Sequence, residues 1–149
     1  VTPSTARHAA IEAQGTQPIT LGVGCDRGTS IETIQEAVMA ALGQAGVTPR
    51  QVVAVGSISI KADEAGLLAM AAQHGWPLLF FTPQALAAVP VPNPSETVRR
   101  HTGTPSVSEA AALLAAGPGT PASALLLEKW RHRGRDGRHA TVSIARKTP

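Results

Sequence analysis

The chain has 149 residues, a net charge of +3 and 43% apolar residues, with only four aromatics. A domain of that length buries roughly two thirds of its unfolded surface without help from a metal, and the single cysteine, Cys25, excludes an internal disulfide. With no apolar run of about 18 residues and no leader pattern, the expectation is one domain in a reducing cytoplasm, not a membrane span.

The apolar residues are mostly Ala, Val, Leu and Ile, small side chains that let helices pack closely on a sheet. That favours a layered α/β protein over an aromatic-rich sandwich. Charge is uneven. From Lys129 onward seven Lys or Arg stand against one acid, Asp136, leaving six basic and nine acidic residues before it. The basic end suits water or an anionic ligand. Nucleic acid is not expected, because only Trp130 is interleaved with the basic residues.

Residues 1–17 are polar and Ala-rich without a period, and read as a loosely held tail before a single domain over 18–149. Ile19 to Gly24 is a short apolar run ending in glycine, the pattern of a buried strand. After a loop at Cys25-Asp26-Arg27-Gly28, Thr29-Ser30-Ile31-Glu32 has the form of a capping box. Ile31, Ile34, Val38 and Leu42 follow at helical spacing, and Gly43, Gly46 and Pro49 stop the helix. Val52 to Ile60 is the second strand. Asp63 and Glu64 suit the start of a helix that continues through Leu67, Leu68 and Ala71 to Gly75. Pro77 to Phe81 is a third strand, followed by a helical turn or two over Pro83 to Ala88.

Val89 to Gly103 holds Pro90, Pro92 and Pro94 with no periodicity, and reads as a long surface loop. Ser106-Val107-Ser108-Glu109 is a second capping pattern, heading an Ala/Leu-rich helix that runs to Ala116 and breaks at Gly117-Pro118-Gly119. Ser123 to Trp130 and Ala140 to Arg146 form a hairpin signal with Asp136-Gly137 as the turn. The order predicts an α/β/α three-layer fold with a mainly parallel, mixed sheet and a C-terminal β-hairpin at one edge.

In open α/β sheets, ligands bind in the crevice beyond the carboxyl ends of the strands, so the loop-to-helix junctions are the candidate sites. At the first, Gly24 and Gly28 allow close backbone approach, the helix start at Thr29 offers N–H donors, and Arg27 could clamp a carboxylate. The same glycines could serve only a tight turn. Cys25, beside a helix start and an arginine, would have a lowered pKa and be a candidate nucleophile, or else a small buried residue. At the second junction, Lys61 follows Ser59 at the end of a strand, where a cation faces either a crevice or its neighbours Asp63 and Glu64. Glu64 could complement the helix dipole. At the third, capping alone explains Ser106 and Glu109 after Gly103. None of the five histidines has a neighbour at metal-ligand spacing, so no metal is expected. His132 and His139, flanking a charged turn, read as solvated.

In this order and spacing, Gly22-Val23-Gly24-Cys25-Asp26-Arg27-Gly28-Thr29, Lys61-Ala62-Asp63-Glu64 and Gly103 to Ala112 resemble three motifs of one family, with Lys129 and Thr141 to Arg146 completing the pattern. It is the family of CobE and the C-terminal domain of CbiG, from vitamin B12 biosynthesis, and the resemblance covers residues 19 to 147. It implies an α/β/α domain that acts on, or holds, a corrin or precorrin intermediate, with no cofactor of its own and with other pathway enzymes as possible partners. The residues so implicated in binding are Gly24, Cys25, Arg27, Gly28, Thr29, Ser59, Lys61, Gly103, Ser106, Glu109 and Lys129. Lys61, Glu64 and Cys25 are the candidates for catalysis.

In the family, CbiG opens the δ-lactone of cobalt-precorrin-5A by hydrolysis and releases acetaldehyde. The absence of room for its N-terminal domains points instead to the CobE type. Asp26 stands where the first motif would carry a second basic residue. Corrin intermediates carry acetate and propionate arms on a flat ring, so a site needs spaced cations and an apolar floor, for which Val23, Ile58 and Ile60 are candidates.

Overall fold

The structure, a computed structural model, describes residues 16–148. Five strands form one mixed sheet, β1 (Ile19–Cys25), β2 (Val52–Ile58), β3 (Leu78–Phe81), β4 (Leu125–Arg133) and β5 (His139–Arg146), in the order β3-β2-β1-β5-β4. β1 pairs in parallel with β2, and β2 with β3. β5 runs antiparallel between β1 and the edge strand β4. The helices are α1 (Ile31–Ala45), α2 (Ala65–His74), α3 (Pro83–Ala87), α4 (Glu96–Thr102) and α5 (Val107–Ala116). Among the described residues, no helix is long and apolar enough to cross a membrane.

The two sheet faces are built differently. On one, Leu21, Val23, Val142 and Ile144 meet Ile34, Val38 and Leu42 of α1 and Leu67 and Met70 of α2 in the largest apolar cluster. Truncating one such leucine to alanine typically costs about 2–5 kcal/mol. Val23 therefore points away from the crevice and is fully buried, so it cannot be part of a ligand floor.

On the other face the Ala-rich α5 lies almost on the strands, because Gly22 and Gly56 have no side chain there. A Cβ on Gly56 would stand 2.6 Å from the Ala111 carbonyl. Thr20 Oγ1 donates to the Ala112 carbonyl at 2.7 Å, and Ser143 Oγ to Ser108 Oγ at 2.9 Å. These bonds satisfy the buried hydroxyls between the layers.

Local expectations fail in a few places, each for a physical reason. α1 is capped by Ser30, whose Oγ accepts from Thr33 N at 3.2 Å, one residue later than the capping box read from Thr29. Thr29 Oγ1 donates instead to Asp26 O at 2.6 Å. β2 stops at Ile58, where its partner β3 ends at Phe81, and Ser59–Lys61 turns as a 3-10 helix.

The segment read as a loop from Val89 to Gly103 contains α4. Ser95 caps it, Glu96 occupies its first turn, Arg99, Arg100 and His101 its last, and Gly103 (φ 80°) ends it. That charge order complements the helix dipole and was the available signal. It was masked because the helix is short and none of its residues is fully buried.

Most of the expected N-terminal tail lies outside the described residues. Gln17, assigned to it, is held: its Nε2 donates to Lys147 O at 3.1 Å, and its carbonyl accepts from Gln51 Nε2 at 2.9 Å.

Candidate functional site

The carboxyl ends of β1 and β2 open into a cleft of about 680 Å³. The register places Cys25 opposite Ala140 and Gly24 opposite Thr141, which brings the start of β5 into its wall. The other walls are the 3-10 turn after β2, α4, and the N-terminus of α5.

Of the residues expected from sequence, Gly24, Cys25, Arg27, Lys61, Ser106 and Lys129 line this cleft, with Ile58 and Ile60. Gly28, Thr29 and Glu64 line a shallower groove between the starts of α1 and α2. Ser59, Gly103 and Glu109 do not line the cleft. Glu109 is fully buried behind it. Sequence reasoning missed His101, Arg131 and His139, all cleft-lining. His101 was hidden in the unrecognised α4, and the two hairpin residues in a segment taken for a solvated turn.

Each charged group has a definite environment. Arg27 donates to Asp63 Oδ1 at 2.8 Å and to Ile60 O at 3.0 Å, and its Nη1 lies 3.0 Å from Glu64 Oε1. It clamps carboxylates of its own chain. The bond from Arg27 holds the Asp63 carboxyl below its usual value. Glu64 is buried and accepts from Gly28 N at 3.1 Å, fixing the glycine loop. The side chains of Lys61 and Arg131 make no hydrogen bond or ion pair among the described residues, although the Lys61 carbonyl accepts from Glu64 N at 3.0 Å. Lys129 Nζ donates to Asn93 O at 2.5 Å, and Asn93 is held in turn by Glu109, which accepts from its Nδ2 at 2.7 Å. Glu109 also accepts from Ser106 Oγ at 2.9 Å, so this pair is tied side chain to side chain.

Two sequence expectations are corrected here. Burial pushes the Cys25 thiol up to about 11, outweighing the lowering effect of Lys61, so the residue is a neutral thiol near pH 7 and not an activated nucleophile. His132 and His139 are half-buried and paired, with Glu36 at 3.3 Å and Asp26 at 3.2 Å. The described residues contain no cluster of metal-ligating side chains.

The cleft joins the cationic side chains of Lys61 and Arg131 to apolar Ile58, Ile60, Val98 and Val107 and to the start of α5, a lining that suits an anionic ligand with apolar area. The family model described as cobalamin synthesis G C-terminus matches residues 19–145. The chain belongs to the CbiG C-terminal family. Within it, the chain is 37% identical over 102 residues to the cobalt-precorrin-5A hydrolase of Priestia megaterium, covering 68% of this chain but 27% of that protein. It is 35% identical over 113 residues to protein CobE of a Sinorhizobium species, covering 74% and 73% respectively. The crystal structure of CobE, described as a protein of the cobalamin biosynthetic pathway, superimposes with a TM-score of 0.67 at 31% identity. That match covers 87% of this chain and 90% of the other. This member of the CbiG C-terminal family is thus a cobalamin biosynthesis protein, with the α/β architecture of CobE.

Proposed function

We propose that this domain binds a corrin or precorrin intermediate in the cleft and holds or hands it on, acting in the cytoplasm. One observation carries the reading: Lys61, Arg131 and Lys129 stand around a floor of Ile58, Ile60, Val98 and Val107 in a single cleft. A flat macrocycle with carboxylate arms needs that combination of apolar area and separated cations. The N-terminus of α5 adds backbone donors. Arg27 supports the site from behind, because its guanidinium is already engaged.

A second reading, hydrolysis of a lactone in such an intermediate, is favoured by the 37% identity to the cobalt-precorrin-5A hydrolase. Lys61 would then face the reacting carbonyl. Glu64 is a weaker candidate for it, since Gly28 and Arg27 occupy its carboxylate. Partner enzymes of the pathway would meet the basic hairpin.

The test is to mix the protein with a metal-free corrin such as hydrogenobyrinic acid, desalt, and record the spectrum and ligand mass of the protein fraction. Co-elution at unchanged mass, lost in Lys61→Ala and Arg131→Ala, is the expected result. Pigment that stays entirely with the small molecules contradicts the carrier reading. Release of acetaldehyde with a precorrin product lighter than its substrate, one water being taken up and acetaldehyde lost, favours the hydrolase if it is abolished in Lys61→Ala.

A further inference from the structure

Among the described residues lining the cleft, Asp26 is the one carboxylate, in a wall otherwise provided with Arg27, Lys61, Lys129 and Arg131. Its Oδ2 accepts from His139 N at 2.7 Å and from His139 Nδ1 at 3.2 Å, while Oδ1 makes no hydrogen bond among the described residues. The nearest cation in sequence, Arg27, does not offset it, because that guanidinium is held by Asp63 and Glu64. This corner of the cleft therefore presents an acceptor oxygen and, beside it, the remaining ring nitrogen of a histidine whose orientation is set by a carboxylate.

We propose that the Asp26–His139 pair is a specificity-determining element, reading a primary amide in place of one carboxylate on the bound macrocycle. This rests on the binding reading above. A carboxylate arm placed there would face the like charge of Asp26 at short range, which suppresses binding. An amide of the same shape donates an N–H to Asp26 Oδ1. Its second N–H or its carbonyl meets His139 Nε2, which accepts when the ring is neutral and donates when it is protonated. The other arms remain carboxylates and go to Lys61, Lys129 and Arg131. The ligand class is then a partly amidated corrin.

The experiment compares the dissociation constants of a free-acid, metal-free corrin and a set of its monoamides, each with one acetate arm converted. For the unmodified protein at low salt, at least one monoamide is expected to bind about tenfold more tightly than the free acid. The ratio should shrink at high salt, where the repulsion is screened. Asp26→Asn keeps an acceptor oxygen for the His139 N–H and removes the charge, so it should bring the ratio close to one by tightening the free acid. No monoamide binding better than the free acid overturns this inference alone. So does a ratio that Asp26→Asn leaves intact. Failure of every corrin in the set to bind overturns the binding reading as well. The salt series uses the unmodified protein and so decides the matter even if the variant misfolds.

Discussion

Lys129 and Asn93 meet beside the cleft, the ammonium of an edge strand donating to a backbone carbonyl of the connection that carries α4. Asn93 is gripped from the inside by the buried Glu109 as well. The wall formed by α4, none of whose residues is fully buried, is thus pinned at its base by two side chains from opposite sides. In Lys129→Ala one pin is lost, a hydrogen bond to a charged group worth about 1 kcal/mol in so exposed a place. Trypsin cleavage after the exposed Arg99 and Arg100 should rise about fivefold, if opening precedes cleavage. Mass analysis of timed digests reads the result, and unchanged cleavage would show that Glu109 alone holds the segment.

Close contact between α5 and the sheet makes a second expectation quantitative. A Cβ on Gly22 would stand 2.5 Å from Ala112 N, and one on Gly56 3.0 Å from the Phe81 ring in addition to the Ala111 carbonyl. Backbone cannot swing aside as a side chain can, so Gly56→Ala should cost about 3 kcal/mol, the upper range for overpacking. The melting temperature of Gly56→Ala should drop by about 10 °C. Gly43→Ala, where a Cβ meets nothing within 4 Å beyond its chain neighbours and its own helix backbone, is the control and should leave it unchanged or raise it.

The hairpin turn reaches across to α1, and this should be visible in the pH dependence of stability. Asp136 accepts from Ser30 N and from Thr33 Oγ1, both at 3.0 Å. The Ser30 N–H, first among these partners, holds its carboxyl down at about 2, against an ordinary 3.8. A depressed folded pKa means stability that is fully present above the unfolded value and lost as pH falls through the folded one. The difference in urea midpoint between the parent protein and Asp136→Asn should therefore be open at pH 6, narrow below pH 4 and close near pH 2.

Cys25 offers a direct chemical readout. Raised from 9.0 to about 11, it should alkylate about a hundredfold more slowly at pH 7.5 than a thiol with the ordinary value, and the rate should still be climbing at pH 10. Lys61→Ala removes a lowering influence and should slow it further. Iodoacetamide kinetics followed by mass spectrometry measure both, and fast reaction at neutral pH would show that the thiol is less buried than the structure has it.

The framework was legible from runs and spacing. Ile19 to Gly24 is a short run that the sheet buries on both faces as far as Val23. Ile34, Val38 and Leu42 recur at helical spacing, and glycines stand where α1 and α2 end. The side of the sheet each strand residue faces was not legible. Val23 and Ile58 are equally apolar, yet the strand register buries one under α1 and sets the other in the cleft wall. Arg27 and Glu64 illustrate a different gap. Both were picked out as candidates for ligand chemistry, and their engagement with each other depends on a contact between distant loops. α4 was overlooked because its stability comes from caps and charges instead of a buried stripe. His101, and through it part of the cleft, went with it.

Lys147 N donates to Pro18 O at 2.9 Å, so the two ends of the described domain lie side by side. They sit where β1 begins and β5 finishes, while the cleft occupies the opposite end of the same two strands, roughly 20 Å away at about 3.3 Å per residue. A module wired in this way can be spliced into a longer polypeptide, or rejoined end to end and cut elsewhere, without its connections crossing the cleft. The same domain can therefore serve as a small protein or as one segment of a much larger one, as its match to 27% of the Priestia hydrolase illustrates.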